Sequence, residues 1–417
     1  MVRFSHFPKF LQDGKEYDLY DLPKGFVIKG NLNLSNRKLE ELPDLSEVTV
    51  EKDFTCFYNQ LTSLKGAPKK VGGNFDCSFN ELTSLEGAPQ EVGGDFFCCY
   101  SKLKSLEGGP KVVKGDFSCA NSGCFPKIEG LENTFRYENK LTNLEGGPEV
   151  VGGSYDCSFA RVKSLSGAPR QIIKNFRCDY NELKSLEGAP QEVDGNFSCA
   201  SSRLRSLQGG PKKVGGDFEC RNRWAFLDRP SEPGGSYLDH DNKVETLEGA
   251  PKEVGGDFFC SVIGLMSLKG APEIIGGSLL CAGNPLCSLD YISKKIGGSL
   301  DCRYTYLLSL QNLPDCKKVM LDPAIARKYG FYRVDLDIDP EKIRESRHYK
   351  REREREIKQK LIDQKTKKIM REIINKKMDQ RDSQNSNSQK RSYKRVIEQK
   401  AWTTLRAKLK ARRSIGG

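Results

Sequence analysis

Fifteen cysteines are the residues of this 417-residue chain with the most chemistry to offer. Thiolates hold soft metals, pair into disulfides or act as nucleophiles, and spacing helps to tell these uses apart. Cys56, Cys77, Cys98 and Cys119 follow one another at intervals of 21 residues. A secreted disulfide scaffold is the usual reading of so many cysteines, but it belongs to short chains with irregular spacing. Here most of them occupy one strand position that alternation turns inward, where Cys behaves as a small hydrophobe. Structural thiols are therefore expected, and free thiols imply a reducing compartment. Disulfides between neighbouring repeats and a soft-metal thiolate ladder are the competing readings.

The remaining reactive residue types are sparse. His6, His240 and His348 have no partner at a recognisable spacing. There is no phosphate-cradling GxxxxGK[ST] loop, and the Gly-Gly pairs are turn residues repeated in nearly every unit. Asp335, Asp337 and Asp339 resemble the opening of a calcium loop. However, Pro340 stands where that loop needs Gly, and Ser346 stands where it needs its closing Glu. No catalytic residue, metal site, cofactor or small-molecule substrate is expected, and the chain reads as a non-enzyme.

The element that positions the cysteines is a repeat, typified by residues 71–89: Val-Gly-Gly-Asn-Phe-Asp-Cys-Ser-Phe-Asn-Glu-Leu-Thr-Ser-Leu-Glu-Gly-Ala-Pro. Phe75 and Cys77 alternate with Asp76 and Ser78, the period of a strand with one buried face. Gly72 and Gly73 are expected to supply positive φ in the turn entering the strand. Pro68 and Pro89 suit an extended far side without helix. The strand position recurs at Leu34, Cys56, Cys77, Cys98, Cys119, Arg136, Cys157, Cys178, Cys199, Cys220, Asp239, Cys260, Cys281, Cys302 and Pro323. The shortened intervals ending at Arg136 and Asp239 recur 103 residues apart, which suggests duplication of a five-coil block. One such unit cannot cover its own flat sides, so the fold expected is a stack of about 14–15 coils.

The array opens at Leu32-Asn33-Leu34-Ser35-Asn36-Arg37-Lys38-Leu39, which resembles the leucine-rich-repeat core L-x-L-x-x-N-x-L, with Arg37 where that family prefers Asn. Later units place Phe75, Cys77, Asn80, Leu82 and Leu85 at the corresponding positions. The nearest type is the short 20-residue repeat of bacterial effectors, with one residue added in the Gly72-Gly73 turn. The Gly-Ala-Pro and Val-Gly-Gly phrasing is similar to uncharacterised repeat proteins of large tailed phages. The resemblance covers roughly residues 30–323. It implies a leucine-rich-repeat-like solenoid with a parallel β-sheet and little helix on its convex side. It implies protein binding only loosely, because one fold hosts many functions.

Within such a stack, Asn59, Asn80, Asn139, Asn181, Asn242 and Asn284 are expected to form an internal ladder satisfying backbone groups. Ser101, Ser122, Ala160, Ser202, Arg223, Ile263 and Thr305 break it, so local stability should dip at Arg223 and Ile263. The outward strand positions supply the candidate partner-binding face. They include Phe57, Phe97, Tyr137, Arg177, Arg221, Phe259 and Arg303. An aromatic column follows them at Tyr58, Phe79, Tyr100, Phe159, Tyr180 and Tyr304. Two readings stand for the column: a protein-binding hot spot, or like residues stacking for stability.

The expected layout places an N-terminal cap over residues 1–31, the solenoid over 32–323 and a capping strand over 324–339. A basic charged helix over 340–380, a flexible linker over 381–391 and a basic amphipathic helix over 392–417 follow. The net charge of +12 belongs to the tail. Residues 341–417 hold 26 Lys and Arg against 10 Asp and Glu, leaving 42 against 46 elsewhere. Arg351, Arg353, Arg355, Lys367, Lys368, Lys376 and Lys377 lie in the first basic segment. Lys394, Arg395, Arg406, Lys410, Arg412 and Arg413 lie around the second. Asp339-Pro340-Glu341 is a strong helix start, while Ile397, Ala401, Leu405 and Leu409 share one face beside Trp402. The tail suits a solubilising helix, an anchor on an acidic protein, a nucleic-acid contact or, least, a membrane-surface helix.

No signal peptide and no transmembrane segment are expected, which points to the cytoplasm, a host cytosol if the chain is phage-encoded. The function expected is recognition of a protein partner, of unknown identity, by the strand face, with the tail as tether. The alternative is a nucleic-acid-associated protein that binds DNA or RNA through the tail, with the array as spacer.

Overall fold

Buried Val71 and Phe75 alternate with more exposed neighbours, and the typical coil accordingly carries two short strands, here Lys70–Val71 and Phe75–Asp76. The computed structural model describes residues 9–121, 138–222, 241–332 and 337–379. Phe75–Asp76 pairs in parallel with Phe54–Thr55 before it and Phe96–Phe97 after it. That ladder runs through a 14-stranded sheet from Leu32–Asn33 to Asp337–Ile338. Only its final pairing, of Asp337–Ile338 with Lys318–Met320, is antiparallel. The chain is thus a parallel β-solenoid with little helix around it.

A second sheet, which the sequence reading did not anticipate, is built from the strand that precedes each Gly pair. It comprises one 6-stranded ladder ending at Val150–Val151 and another beginning at Gln171–Ile172. Its inward column of Val50, Val71, Val92, Val113 and Val151 is buried beside exposed Glu and Lys. That two-residue alternation was present in the sequence.

The interior is a set of like-on-like columns. Phe54, Phe75, Phe96, Phe117, Tyr155, Phe176, Phe197, Phe218 and Phe258 stack with ring centroids 4.9–5.7 Å apart. Leu82 and Leu85 head parallel columns, fully buried. Such columns exist only when coils stack, because a lone coil leaves both flat sides in water.

Several expectations are corrected. Gly72 and Gly73 do not have positive φ. They are glycines because a Cβ at either would run into the backbone of the preceding coil, at Glu51 and Lys52. Positive φ belongs instead to the glycine before Ala-Pro, such as Gly87 at +96°. Arg136 and Asp239 lie outside the described residues. Phe117 is in register directly with Tyr155, and Phe218 with Phe258. Among the described residues the parallel coils therefore number thirteen, the 14 strands less the antiparallel one, rather than fourteen or fifteen. Pro323 is not a strand residue but opens helix α1 (Pro323–Lys328), and Leu321 takes the Cys position.

At the N-terminal end, strands Lys9–Gln12 and Lys15–Asp18 form an antiparallel hairpin. Phe10, Tyr17 and Phe26 cluster on it, with Tyr17 and Phe26 centroids 4.8 Å apart. At the other end lies α2 (Pro340–Glu345). The Asp339 carboxylate accepts from the Glu341 N–H at 2.9 Å, the expected N-cap. The single helix expected over residues 340–380 is divided at Ser346, and α3 (Arg347–Asp379) follows. Residues 1–344 and 345–417 form two separate units. The linker and second basic helix expected beyond residue 380 lie outside the described residues.

Candidate binding face

The face is fixed from inside by the asparagine ladder. Asn80 Nδ2 donates to the Cys56 and Cys77 carbonyls, and its Oδ1 accepts from the Leu61 N–H. Asn139, Asn181, Asn242 and Asn284 repeat the arrangement, each bridging the Cys carbonyls of two successive coils. From Asn80 onward the position reads Asn80, Ser101, Asn139, Ala160, Asn181, Ser202, Asn242, Ile263, Asn284 and Thr305, with Asn in every second coil. One amide serves its own coil and the one before it, so a gap at the preceding coil leaves that coil's Cys carbonyl paired. At Ile263, where weakness was expected, the Cys260 carbonyl receives Asn284 Nδ2 at 2.8 Å. Ser122 and Arg223 lie outside the described residues, and the ladder position of their coils is taken by Asn139 and Asn242. Asn121 and Asn222 tie the chain at these places, accepting from the Asn139 and Asn242 N–H groups at 2.9 and 2.8 Å.

A second polar ladder, missed in the sequence, follows the Gly pairs. Each N–H at this position meets the side chain one coil earlier: Asn74 on Asp53, Asp95 on Asn74, Asp116 on Asp95, all at 2.8 Å. The signal was the Asp, Asn or Ser that follows almost every such pair.

Eleven cysteines of the strand column are free and buried. Thiol donation to the next coil's carbonyl is typical, as from Cys77 Sγ to the Phe97 oxygen at 3.4 Å. Burial pushes these thiols well above their ordinary range, with Cys281 pushed up to about 12. Cys287 is exposed and Cys316 half-buried. Cys99 is disulfide-bonded, which departs from the expectation of free thiols. Among the described residues no three His, Cys, Asp or Glu side chains gather as a metal would require.

The aromatic column sits just past the strand in the left-handed region. Tyr58, Phe79, Tyr100, Phe159, Tyr180 and Tyr304 all have φ between 46° and 58°. The strand must bend there, and the stacked rings accompany an unfavourable backbone. Phe79 lies 4.7 Å from Tyr100, and Phe159 lies 4.3 Å from Tyr180. Phe79 and Tyr180 are buried, whereas Tyr58 and Tyr304 are exposed. Of the other candidates, Phe57, Phe97 and Phe259 are half-buried and Arg177 is exposed. Arg221 is engaged within the chain, 2.7 Å from Glu219 and over the Phe259 ring at 4.8 Å. Arg303 holds the buried Asp301 through two bonds at 2.7 and 2.9 Å. Tyr137 lies outside the described residues.

A further surface feature was in the sequence reading only through Tyr304. Two, four and six residues after the Cys position, the last full coils carry Val262, Gly264 and Met266, then Gly283, Pro285 and Cys287, then Tyr304, Tyr306 and Leu308. None is charged. Earlier coils place Glu81 with Thr83, Lys102 with Lys104, or Arg203 with Arg205 at the latter two positions. Met266, Tyr304, Tyr306 and Leu308 are 61%, 69%, 72% and 72% exposed. A loss of charge at two alternating columns was the available signal.

Along α3, Arg351, Arg353, Arg355, Lys367 and Lys368 are exposed, and so are Ile357, Leu361, Ile362 and Ile369. Glu356 pairs with Lys360. The side chains of Lys376 and Lys377, and all of Lys394, Arg395, Arg406, Lys410, Arg412 and Arg413, lie outside the described residues. No described helix is long and apolar enough to cross a membrane. Compared with protein-family models, with curated proteins and with solved structures, the chain matches none.

Proposed function

We propose that the chain is a non-enzymatic protein-recognition scaffold that grips its partner with the strand face, chiefly at the last three full coils. The observation that carries this reading is the uncharged outward patch of Met266, Cys287, Tyr304, Tyr306 and Leu308. Exposed aromatic and aliphatic side chains just past the sheet strands supply contact area that a partner can bury. The buried asparagine ladder beneath them holds the backbone, so the patch is preorganised. The leucine-rich-repeat resemblance, including its bacterial and phage types, agrees with this use. The basic tail serves as a tether to an acidic surface.

A capture experiment with the full chain tests this reading. Replacing Tyr304, Tyr306 and Leu308 together by Ser should abolish retention of a partner from the source cell's extract without changing the melting curve. Ile274→Ser, on the second sheet, should leave capture intact. Equal capture by all three proteins would refute the reading.

A second reading has its own support in the exposed Arg351, Arg353, Arg355, Lys367 and Lys368 on α3. In it the tail binds DNA or RNA phosphates and the array is a spacer. Binding would then weaken steeply with added salt. A flat salt response would dispose of it.

A further inference from the structure

The second sheet is interrupted at one place. Elsewhere the first residue of each Gly-Gly position donates to the preceding coil, as Gly72 to Val50, Gly93 to Val71 and Gly152 to Val113, each at 2.9 Å. Ile173 occupies that position in the next coil and makes no such bond to Val151. Arg170 makes none to Glu149 either, although that bond is also missing at Gln90 and Lys294, where the sheet continues. The strands Val150–Val151 and Gln171–Ile172 consequently end two separate ladders. On the other sheet the same two coils remain in register at Tyr155 and Phe176. They touch along one side and part along the other.

The sequence accounts for the parting. Ile173-Lys174 stands where most coils have two glycines, and a Cβ at those positions runs into the preceding backbone. Unbranched Glu51, Lys114 and Asp194 are accommodated at the first position. Only this coil puts a β-branched residue there, followed by Lys. The polar ladder is longest here, with Asn175 N–H donating to Ser154 Oγ at 3.4 Å.

The opening is a cleft of about 530 Å³ whose lining includes Val150, Ala168, Pro169, Arg170 and Ile173. Val150 and Ile173 are 55% and 56% exposed. Across it no backbone bond joins the Arg170 N–H to the Glu149 carbonyl or the Ile173 N–H to the Val151 carbonyl. A charge balance accompanies them. Glu149 is neutralised by Lys111 at 2.7 Å and Lys174 leans on Asp116 at 3.8 Å. Exposed Arg170 has no carboxylate partner among the described residues.

We propose that this cleft accepts a β-strand: an extended segment of a partner protein, apolar at alternate positions and carrying one carboxylate, inserts between Val150–Val151 and Gln171–Ile172. Its backbone takes up the free carbonyls on one side and the free N–H groups on the other, completing the second sheet. Its alternate apolar side chains cover Val150 and Ile173, and its carboxylate meets Arg170. The site is independent of the Tyr304 patch, so either can fail alone.

The probe is a labelled, end-capped peptide Thr-Val-Asp-Val-Thr, tested on the full chain beside the same peptide N-methylated at alternate backbone nitrogens. The plain peptide should bind saturably, and N-methylation should weaken binding by roughly tenfold or more, because it removes backbone donors. The double variant Ile173→Gly with Lys174→Gly restores the usual glycine pair and should close the cleft. It should lose binding by a similar factor while gaining hydrogen-exchange protection at residues 173 and 174. Arg170→Glu should weaken the plain peptide and leave the fold intact. Absence of saturable binding, equal binding of both peptides, or undiminished binding to the closed variant would overturn the proposal.

Discussion

Asn80 Nδ2 lies 3.0 Å from the Cys56 carbonyl of the preceding coil and equally far from the Cys77 carbonyl of its own. This shared amide explains why asparagine is needed only in alternate coils, and it ranks the ladder positions. Asn80→Ala strands the buried Cys77 carbonyl and the Leu61 N–H, while the Cys56 carbonyl keeps Asn59 Nδ2 at 2.9 Å, at a cost of about 2–4 kcal/mol. Ser101 occupies the intervening position, and its buried hydroxyl has no partner among the described residues. Ser101→Ala should therefore be neutral or slightly stabilising. Urea unfolding of the two variants beside the parent measures the difference, and equal losses would dismiss the shared-amide rule.

The thiol column predicts behaviour in alkali. A buried thiol whose folded pKa exceeds its unfolded value keeps its proton in the fold while the unfolded chain releases it. Its stabilising contribution is complete below the unfolded value and is lost as pH rises through the folded one. For Cys281 that window runs from the ordinary value of 9.0 to about 12. Each such thiol removes about 1.4 kcal/mol per pH unit inside its window. With eleven in one column, stability should fall steeply above pH 9. Replacing Cys281 and Cys260 by Ala should make that fall shallower. At pH 8, a thiol reagent followed by peptide mapping should mark Cys287 quickly, Cys316 slowly and the column not at all.

Much of this fold was legible because its period is written in residue types. The inward Cys, Phe and Leu columns recur every 21 residues, and alternation fixes which side chains are buried. Counting intervals did not fix the number of coils, because Phe117 is in register directly with Tyr155 and Phe218 with Phe258, pairings that residue spacing alone does not reveal. The glycine pairs were misread for a related reason. Glycine serves positive φ and close backbone approach alike, and the second use depends on the neighbouring coil. The binding face was legible only in part. Exposure separates Tyr304 from Phe79, although both have the same residue class and backbone angle.

Tyr155 offers a test of the phenylalanine column. It is fully buried between Phe117 and Phe176, and its hydroxyl has no partner among the described residues. A buried, unsatisfied hydroxyl costs about 1–3 kcal/mol. Tyr155→Phe should raise stability by about 1 kcal/mol or more, read from the urea midpoint at unchanged slope. A lowered midpoint would mean that the hydroxyl is satisfied.

The aromatic column divides by burial, and so should the consequences of changing it. Phe79, 4% exposed, stacks on Tyr100, so Phe79→Ala should destabilise by about 3 kcal/mol as a core truncation. Tyr304, 69% exposed, contributes little packing, and its φ of +56° favours glycine over any residue with a Cβ. Tyr304→Gly should therefore be about 1 kcal/mol more stable than Tyr304→Ala. Both Tyr304 variants should weaken partner capture alike, because each removes the ring that the partner would bury. If Phe79→Ala reduced capture at temperatures where the fold is intact and Tyr304→Ala did not, the recognition face would lie toward the earlier coils.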